Sequence, residues 1–325
     1  MSPIDQPTSA APILAVVVLY KRSPSESRSI CSLVDILHAN PRLAADFSLV
    51  VYDNSPFKQS FEMDVNVQVL YKHDPANAGL AAAYNFALAQ AQEKRYEWLL
   101  LLDQDTSPTA DFLTELVACK DSLGTKDKVA SIVPRLVVGG RVHSPMTHFI
   151  DQIRHQFDVI DHIRHRFRAS DHAVGPEIEG VQQGRLTAYN SGATLRVSAL
   201  RAIGGFPNEY WLDFLDHAVF HALSLQGYSM YILKSEIEHE ASQLTVSTVP
   251  LWRQRNILFA QIRFVKYAGS LLDRWLYRVY ILRYSRSLWI HYPDRRLWKE
   301  AAWQALRLET STERPPSNQH QTPES

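Results

Sequence analysis

Ile13–Tyr20 reads Ile-Leu-Ala-Val-Val-Val-Leu-Tyr, eight apolar or aromatic residues in a row, half of them β-branched. The run does not alternate with polar residues, so it reads as a strand buried on both faces, as in the middle of a parallel sheet. Similar runs recur at Phe47–Tyr52, Val65–Tyr71, Glu97–Leu102 and Val129–Pro134. Helical patterns separate them. Ser23-Pro24-Ser25-Glu26 supplies an N-cap, a first-turn proline and a capping-box acid for a helix over Pro24–Ala39, with Ile30, Leu33, Val34 and Leu37 on one face. Asn77-Ala78-Gly79 opens an Ala-rich helix to about Ala91, and Asp111–Leu123 reads as another. Strands alternating with helices predict an α/β fold with a mainly parallel central sheet and right-handed crossovers. In such sheets ligands bind beyond the carboxyl ends of the strands. Asp53, Asn54, Asp103 and Asp105 all fall at those ends.

The remaining segments differ in texture. Met1–Ala11 is polar and reads as a flexible tail. Residues 139–180 hold six of the thirteen histidines and a near-duplication, Asp151–Phe157 against Asp161–Phe167. A histidine-rich tract can bind metal. No supporting Cys or carboxylate pattern accompanies it, so an inserted hairpin with its polar residues in solvent is the preferred reading. Arg185–Arg196 returns to a strand-like pattern, and Ser198 is expected to cap a short helix. From residue 251 to 308 the chain reads as one or two basic, aromatic helices: 253–307 carry 12 Lys or Arg against 3 Asp or Glu, interleaved with Trp and Tyr. Residues 309–325 read as a disordered tail.

Composition removes several functional classes. Lys plus Arg and Asp plus Glu are each 34, so a dedicated nucleic-acid binder is not expected. Cys31 and Cys119 are too few for a disulfide framework, which fits a reducing cytoplasm. The apolar stretch Ala10–Tyr20 is too short to span a bilayer, and no Lys or Arg precedes it as in a signal peptide. Neither a G-x-G-x-x-G nor a P-loop pattern follows the first strand. A nucleotidyltransferase would need a Gly-rich basic loop there, and Leu19–Ser25 lacks one.

Three acidic sites carry the chemistry. Asp103-Gln104-Asp105 places two carboxylates at i and i+2 on a strand-to-loop junction, where hard oxygen ligands suit Mg²⁺ or Mn²⁺ on a diphosphate; a solvated turn is the other reading. Asp53 can accept hydrogen bonds from a nucleoside, or simply build its Asp-Asn-Ser-Pro turn. Asp213 and Asp216 stand at i, i+3 before a helix over His217–Leu225, and Asp216 reads either as an N-cap or as a catalytic carboxylate. His239 follows a strand over Ser229–Leu233 and gains interest only as a third ligand beside Asp105.

In order and spacing, these pieces resemble family-2 glycosyltransferases of the GT-A fold, specifically the rhamnosyltransferase-like group. The resemblance rests on Val16–Tyr20, Val51–Ser55, Asn77–Asn85, Leu100–Thr106, Ser191-Gly192, Ile203–Phe206, Leu212–Asp216, Gln226–Tyr228, His239 and Trp252–Asn256. It implies a GT-A domain over residues 12–250 and an inverting transfer from a nucleotide-diphosphate sugar, dTDP-L-rhamnose, to a glycan or lipid-linked glycan. It implies Asp216 as catalytic base, Asp105, His239 and Asp103 around Mg²⁺ or Mn²⁺, and Tyr20, Asp53, Asn77, Asp103 and Gln104 on the donor. Trp211, Asp213 and Arg253 are assigned to the acceptor side. Family members often carry an acid two residues after the base and an arginine six after it; here those positions are Ala218 and Ala222. The alternatives are a UDP-hexose-dependent enzyme of the same fold and a non-catalytic glycan- or partner-binding relative. The basic segment 253–307 is expected to touch an anionic membrane at its cytoplasmic face, or else to pack on the core.

Overall fold

The computed structural model describes residues 13–62, 64–124, 128–157, 178–239, 250–291 and 296–307. Four parallel strands form one half of the sheet in the order β3 (Val69–His73), β2 (Phe47–Asp53), β1 (Ile13–Leu19), β4 (Trp98–Asp103). All seven residues of β1 are buried, as an unbroken apolar run requires of a strand covered on both faces. Val16, Val18, Val50, Leu99 and Leu101 face one core, and Ala15, Val17, Leu49, Val51, Leu100 and Leu102 the other. Helices α1 (Arg28–Ala39) and α3 (Gly79–Glu93) make the crossovers, and the short α2 (Pro41–Ala44) leads into β2.

Beyond β4 the sheet changes character. β11 (Thr194–Arg196) lies antiparallel between β4 and β6 (Val129–Val138), and β12 (Ser229–His239) runs parallel to β6. β5 (Thr106–Ser107) closes the far edge against β12. β7 (Arg141–Ser144) and β9 (Gly180–Gln182) add to β6 and β12, while β8 (Met146–Thr147) and β10 (Leu186–Thr187) form a separate pair. The strand-like pattern at Arg185–Arg196 is therefore two short strands in different sheets. Gly192 lies between them at φ +84°, where an added Cβ would sit 2.5 Å from Ile237 Cδ1. Only a glycine admits that bend without moving the core.

Several boundaries differ from expectation. The helix expected from Pro24 is split into a 3₁₀ turn, Pro24–Glu26, and α1, because the extended Ser27 interrupts it and caps α1 through Ile30. The capping box does form between Ser23 and Glu26. The strand expected from Val65 begins only at Val69. Ser198 is not a cap: α6 (Val197–Ala202) starts from Arg196, at the end of β11. β12 continues past Leu233 to His239, held by its pairing with β6 and β5.

The histidine-rich tract opens on an antiparallel β6–β7 hairpin with Gly139, Gly140 and Arg141 exposed, but it does not stay in solvent. After β7, α5 (Phe149–His155) turns inward, and His148 is fully buried against His221 of α7 (Leu215–Leu225). Residues 158–177, with His162, His165 and His172, lie outside the described residues. Among the described residues no group of three metal-binding side chains occurs.

The C-terminal segment forms three helices, α8 (Leu251–Ala268), α9 (Leu271–His291) and α10 (Arg296–Arg307). Phe264, Val265, Tyr277, Ile281 and Ala301 are fully buried in the core that also covers one face of the sheet. Asp273 is buried and takes two hydrogen bonds from Arg154, 2.6 and 2.8 Å, tying α9 to α5. Among the described residues no helix is long and apolar enough to cross a membrane. The tails 1–11 and 309–325 lie outside the described residues.

Candidate active site

β1, β2 and β4 end together, and the Asp103–Thr106 turn is built at that edge. Three serine hydroxyls clasp it. Ser29 Oγ donates to the Thr106 carbonyl at 2.9 Å and contacts that of Asp103, and Ser27 Oγ donates to the Gln104 carbonyl at 3.0 Å. Ser191 Oγ accepts from the Asp103 amide at 3.1 Å and bonds the Thr106 hydroxyl. Ser29, Ser191 and Thr106 are buried, so these hydroxyls serve the turn rather than solvent. The Tyr20 amide donates to Gln104 Oε1 at 2.9 Å, which links the end of β1 to the same turn. Asp103 and Asp105 are left half-buried. β5 pairs with β12 so that His239 lies opposite Thr106, one residue from Asp105. The His239 side chain lies outside the described residues.

Asp53 is fully buried and faces its own loop. Oδ1 accepts from the Ser55 amide at 2.9 Å; Oδ2 accepts from the Gln59 amide at 2.9 Å and from the Tyr71 hydroxyl. Burial alone would raise its pKa, but these donors outweigh it and hold the carboxyl below its ordinary value. In this arrangement Asp53 shapes the loop, as the turn reading expects. Beside it the Asn54 side-chain oxygen is buried without a hydrogen-bond partner.

A second wall comes from the segment before α7. The Trp211 indole donates to the Asn77 carbonyl at 2.9 Å, and the Leu80 amide donates to the Trp211 carbonyl at 2.8 Å. Gly79, at φ +92°, makes room for them: a Cβ there would lie 2.3 Å from Trp211 Cδ1. Asn77 thus acts here through its backbone. Asp213 then pairs with Arg253 of α8 at 3.2 Å, and Phe214 adopts a left-handed conformation, φ 64°, ahead of α7. The helix therefore begins at Leu215 with Phe214 as its cap residue, and Asp216 is not the N-cap. Aromatic packing of Phe214 on His217, Phe149 and Phe264 holds this uncommon backbone. Asp216 lies in the first turn, where its Oδ1 accepts from the His217 amide at 2.8 Å.

Electrostatics separate these carboxyls from ordinary ones. Burial pushes Asp216 up to about 6, against its hydrogen bond and the favourable helix terminus. Asp213 also rises to about 6: burial comes first, Arg253 opposes it, and the charge of Asp216 adds to it. Two carboxyls three residues apart are thus both raised toward neutrality by burial.

Tyr84 of α3 was not singled out by its sequence. It is fully buried, and burial, then the charges of Asp103 and Asp216, raise its pKa well above the ordinary value. Its hydroxyl makes no hydrogen bond of full geometry, although the Asp103 carboxylate lies within its reach. The signal was present in the Ala-rich pattern of α3: Ala81, Ala83, Ala87 and Ala91 are buried, and Tyr84 is the polar-tipped residue among them. Tyr189, 37% exposed, also rises, to about 12, through desolvation first and then the charge of Asp216.

The site thus has a clasped acidic turn on one wall and a poised carboxylate on the other, at the carboxyl edge of an α/β sheet. Residues 16–174, just under half of the chain, match the family model described as Glycosyl transferase family 2, and the largely parallel, helix-flanked sheet agrees with a GT-A fold. Among solved structures the chain is similar to S. aureus TarS 1–349 in complex with UDP-GlcNAc, at 13% identity and TM-score 0.53, covering 91% of this chain and 81% of that one. The structure of S. aureus TarS 1–349 without that description matches at 13% identity and TM-score 0.47, covering 91% and 71%. No curated protein matches.

Proposed function

We propose that the chain is an inverting transferase that moves L-rhamnose from dTDP-L-rhamnose to a hydroxyl of a glycan or lipid-linked glycan, in the cytoplasm at the inner face of the cell membrane. The observation that carries the transfer is Asp216, a carboxyl in the first turn of α7 that accepts from the His217 amide at 2.8 Å, is raised to about 6 by burial, and acts with its charge on the buried Tyr84 beside Asp103. In the reaction Asp216 takes the proton of the acceptor hydroxyl. The acceptor oxygen bonds the anomeric carbon from the face opposite the diphosphate, and the sugar–phosphate bond breaks. The rhamnosyl donor rests on the family resemblance of the Asp-Gln-Asp-Thr turn and the late Arg255-Asn256 pair.

Asp103 and Asp105 would hold Mg²⁺ or Mn²⁺ with the donor phosphates, and His239 would join them. The donor set fits: Mg²⁺ is commonly held by one or two carboxylates plus substrate phosphates. Such an ion offsets charge on the departing diphosphate. Tyr20, Gln104 and the Asp53 loop frame the donor, and Trp211, Asp213 and Arg253 frame the acceptor.

The UDP-GlcNAc complex of TarS favours a second donor reading, a UDP-hexose or UDP-N-acetylhexosamine. Release of nucleoside diphosphate from a panel of dTDP and UDP sugars, with and without chelator, separates the readings. Turnover of dTDP-L-rhamnose that stops in chelator is the expected result. Preference for a UDP sugar would replace the donor, full activity in chelator would remove the metal, and no turnover with any donor would leave a binding relative.

A further inference from the structure

Helix α9 is two-sided. Asp273, Tyr277, Ile281 and Ser285 recur every four residues and are buried against the core. On the opposite side, Leu271, Leu272, Trp275 and Leu282 are 74, 63, 53 and 45% exposed. At 100° per residue these four fall within one sector of the helix, and the exposed Arg283 and Arg286 continue that sector toward the C-terminus. The apolar character on both sides distinguishes α9 from an ordinary surface helix, whose outward face is polar.

The segment that carries this face is strongly basic along its sequence. Segment 253–307 carries 12 Lys or Arg and 3 Asp or Glu. Of those acids, Asp273 is buried on Arg154, and Glu300 pairs with Arg255 at 2.8 Å. The chain as a whole is neutral, so the positive excess is local.

We propose that the α9 face Leu271-Leu272-Trp275-Leu282, with Arg283 and Arg286 at its end, lies in the interface of an anionic lipid bilayer. Exposed leucines beside a tryptophan suit the boundary between headgroup and acyl chain, where Trp is enriched. The arginines meet anionic headgroups, and their attraction falls as salt screens it. Four other aromatics of the segment do not take part: Tyr277 is buried, and Tyr280, Tyr284 and Trp298 pack against the core. The inference deepens the preceding reading, in which the acceptor is lipid-linked, by naming the surface that meets the membrane. The vesicle test uses no sugar, so the two fail separately.

The test is co-sedimentation of the full chain with phosphatidylcholine vesicles and with vesicles containing anionic phosphatidylserine. Binding is expected only to the anionic vesicles at low salt, weakening at least tenfold in high salt. Leu271→Ser with Leu272→Ser and Trp275→Ser should abolish it, and Arg283→Glu with Arg286→Glu should weaken it at least tenfold. Both variants should keep the wild-type melting temperature within a few degrees, since these side chains are exposed. Absence of anionic-vesicle binding by the wild type overturns the proposal, as does binding that survives the triple variant. A solution dimer that the triple variant dissociates would assign the face to a second copy and overturn it as well.

Discussion

Tyr84 shows how a residue without a motif of its own enters the site. Its ring packs on Phe206 at 5.1 Å between centroids, while its hydroxyl sits in the field of Asp103 and Asp216. A buried hydroxyl without a full hydrogen bond adds little to stability. Tyr84→Phe should therefore leave the melting temperature unchanged or slightly higher. Turnover should fall roughly tenfold, the scale of one hydrogen bond to a charged group. Melting and nucleotide-release rates on the same preparation check this; an undiminished rate would leave Tyr84 to packing alone. The contrast with Asp53 is instructive. Both lie at the carboxyl edge, but Asp53 already has Ser55, Gln59 and Tyr71 as donors.

At the scale of elements, the parallel half of the sheet was legible because its strands are unbroken apolar runs. β1 and β2 fall within one residue of the expected bounds at either end. The antiparallel half was not. β11 is three residues long and β5 two, and each exists only because a long partner strand offers its edge. Local sequence carries no record of such pairing. The positions of Asp53 and Asp103 were legible for the same reason as the strands they end. The clasp was not: Ser29 and Ser191 reach the Asp103–Thr106 turn from 74 and more residues away. The start of α7 was misread because a left-handed Phe214 leaves no mark in residue type. The fit of Asn77–Gly79 around Trp211 gives a direct test of how the two walls are joined. Gly79→Ala adds a Cβ where φ is +92° and Trp211 lies 2.3 Å away. It should cost about 1–3 kcal/mol by strain and overpacking. Denaturant unfolding should show the loss, and the KM for acceptor should rise with it. A variant of wild-type stability and KM would mean that the two loops are not coupled.

For the whole molecule, three buried histidines join the sheet domain to the C-terminal helices. His148 Nδ1 accepts from Arg185 at 2.8 Å, so its proton lies on Nε2 and faces His221 Nδ1 at 3.1 Å. Phe264 of α8 packs on His148, His217 and His221. Burial pushes these rings down, to about 2 for His148, about 3 for His217 and about 4 for His221, with Arg185 lowering His148 and His221 further. Their folded values lie below the ordinary histidine value, so below pH 6.5 the unfolded chain binds more protons. Their contribution to stability is fully present above that pH and is lost as pH falls from 6.5 toward 4, by about 1.4 kcal/mol per pH unit for each histidine. Asp213 and Asp216 act in the opposite sense, since carboxyls raised to about 6 gain relative stability as pH falls through that value. Three histidines outweigh two partly open carboxyls, so the melting temperature should drop steadily between pH 6.5 and 4.5. His221→Phe should flatten that drop; an unchanged slope would remove the histidine core as its cause.

The central claim, that Asp216 is the base of a glycosyl transfer, is tested most directly by the turnover of Asp216→Asn with saturating donor and acceptor. Asn keeps the size and the oxygen that accepts from His217, and it removes a carboxyl whose ionisation burial opposes. Stability at pH 7 should therefore hold or rise by on the order of 1 kcal/mol. Donor KM should stay near wild type, while kcat falls by roughly 10²–10⁴, the range of general-base catalysis. A folded Asp216→Asn enzyme that keeps the wild-type kcat would contradict the account.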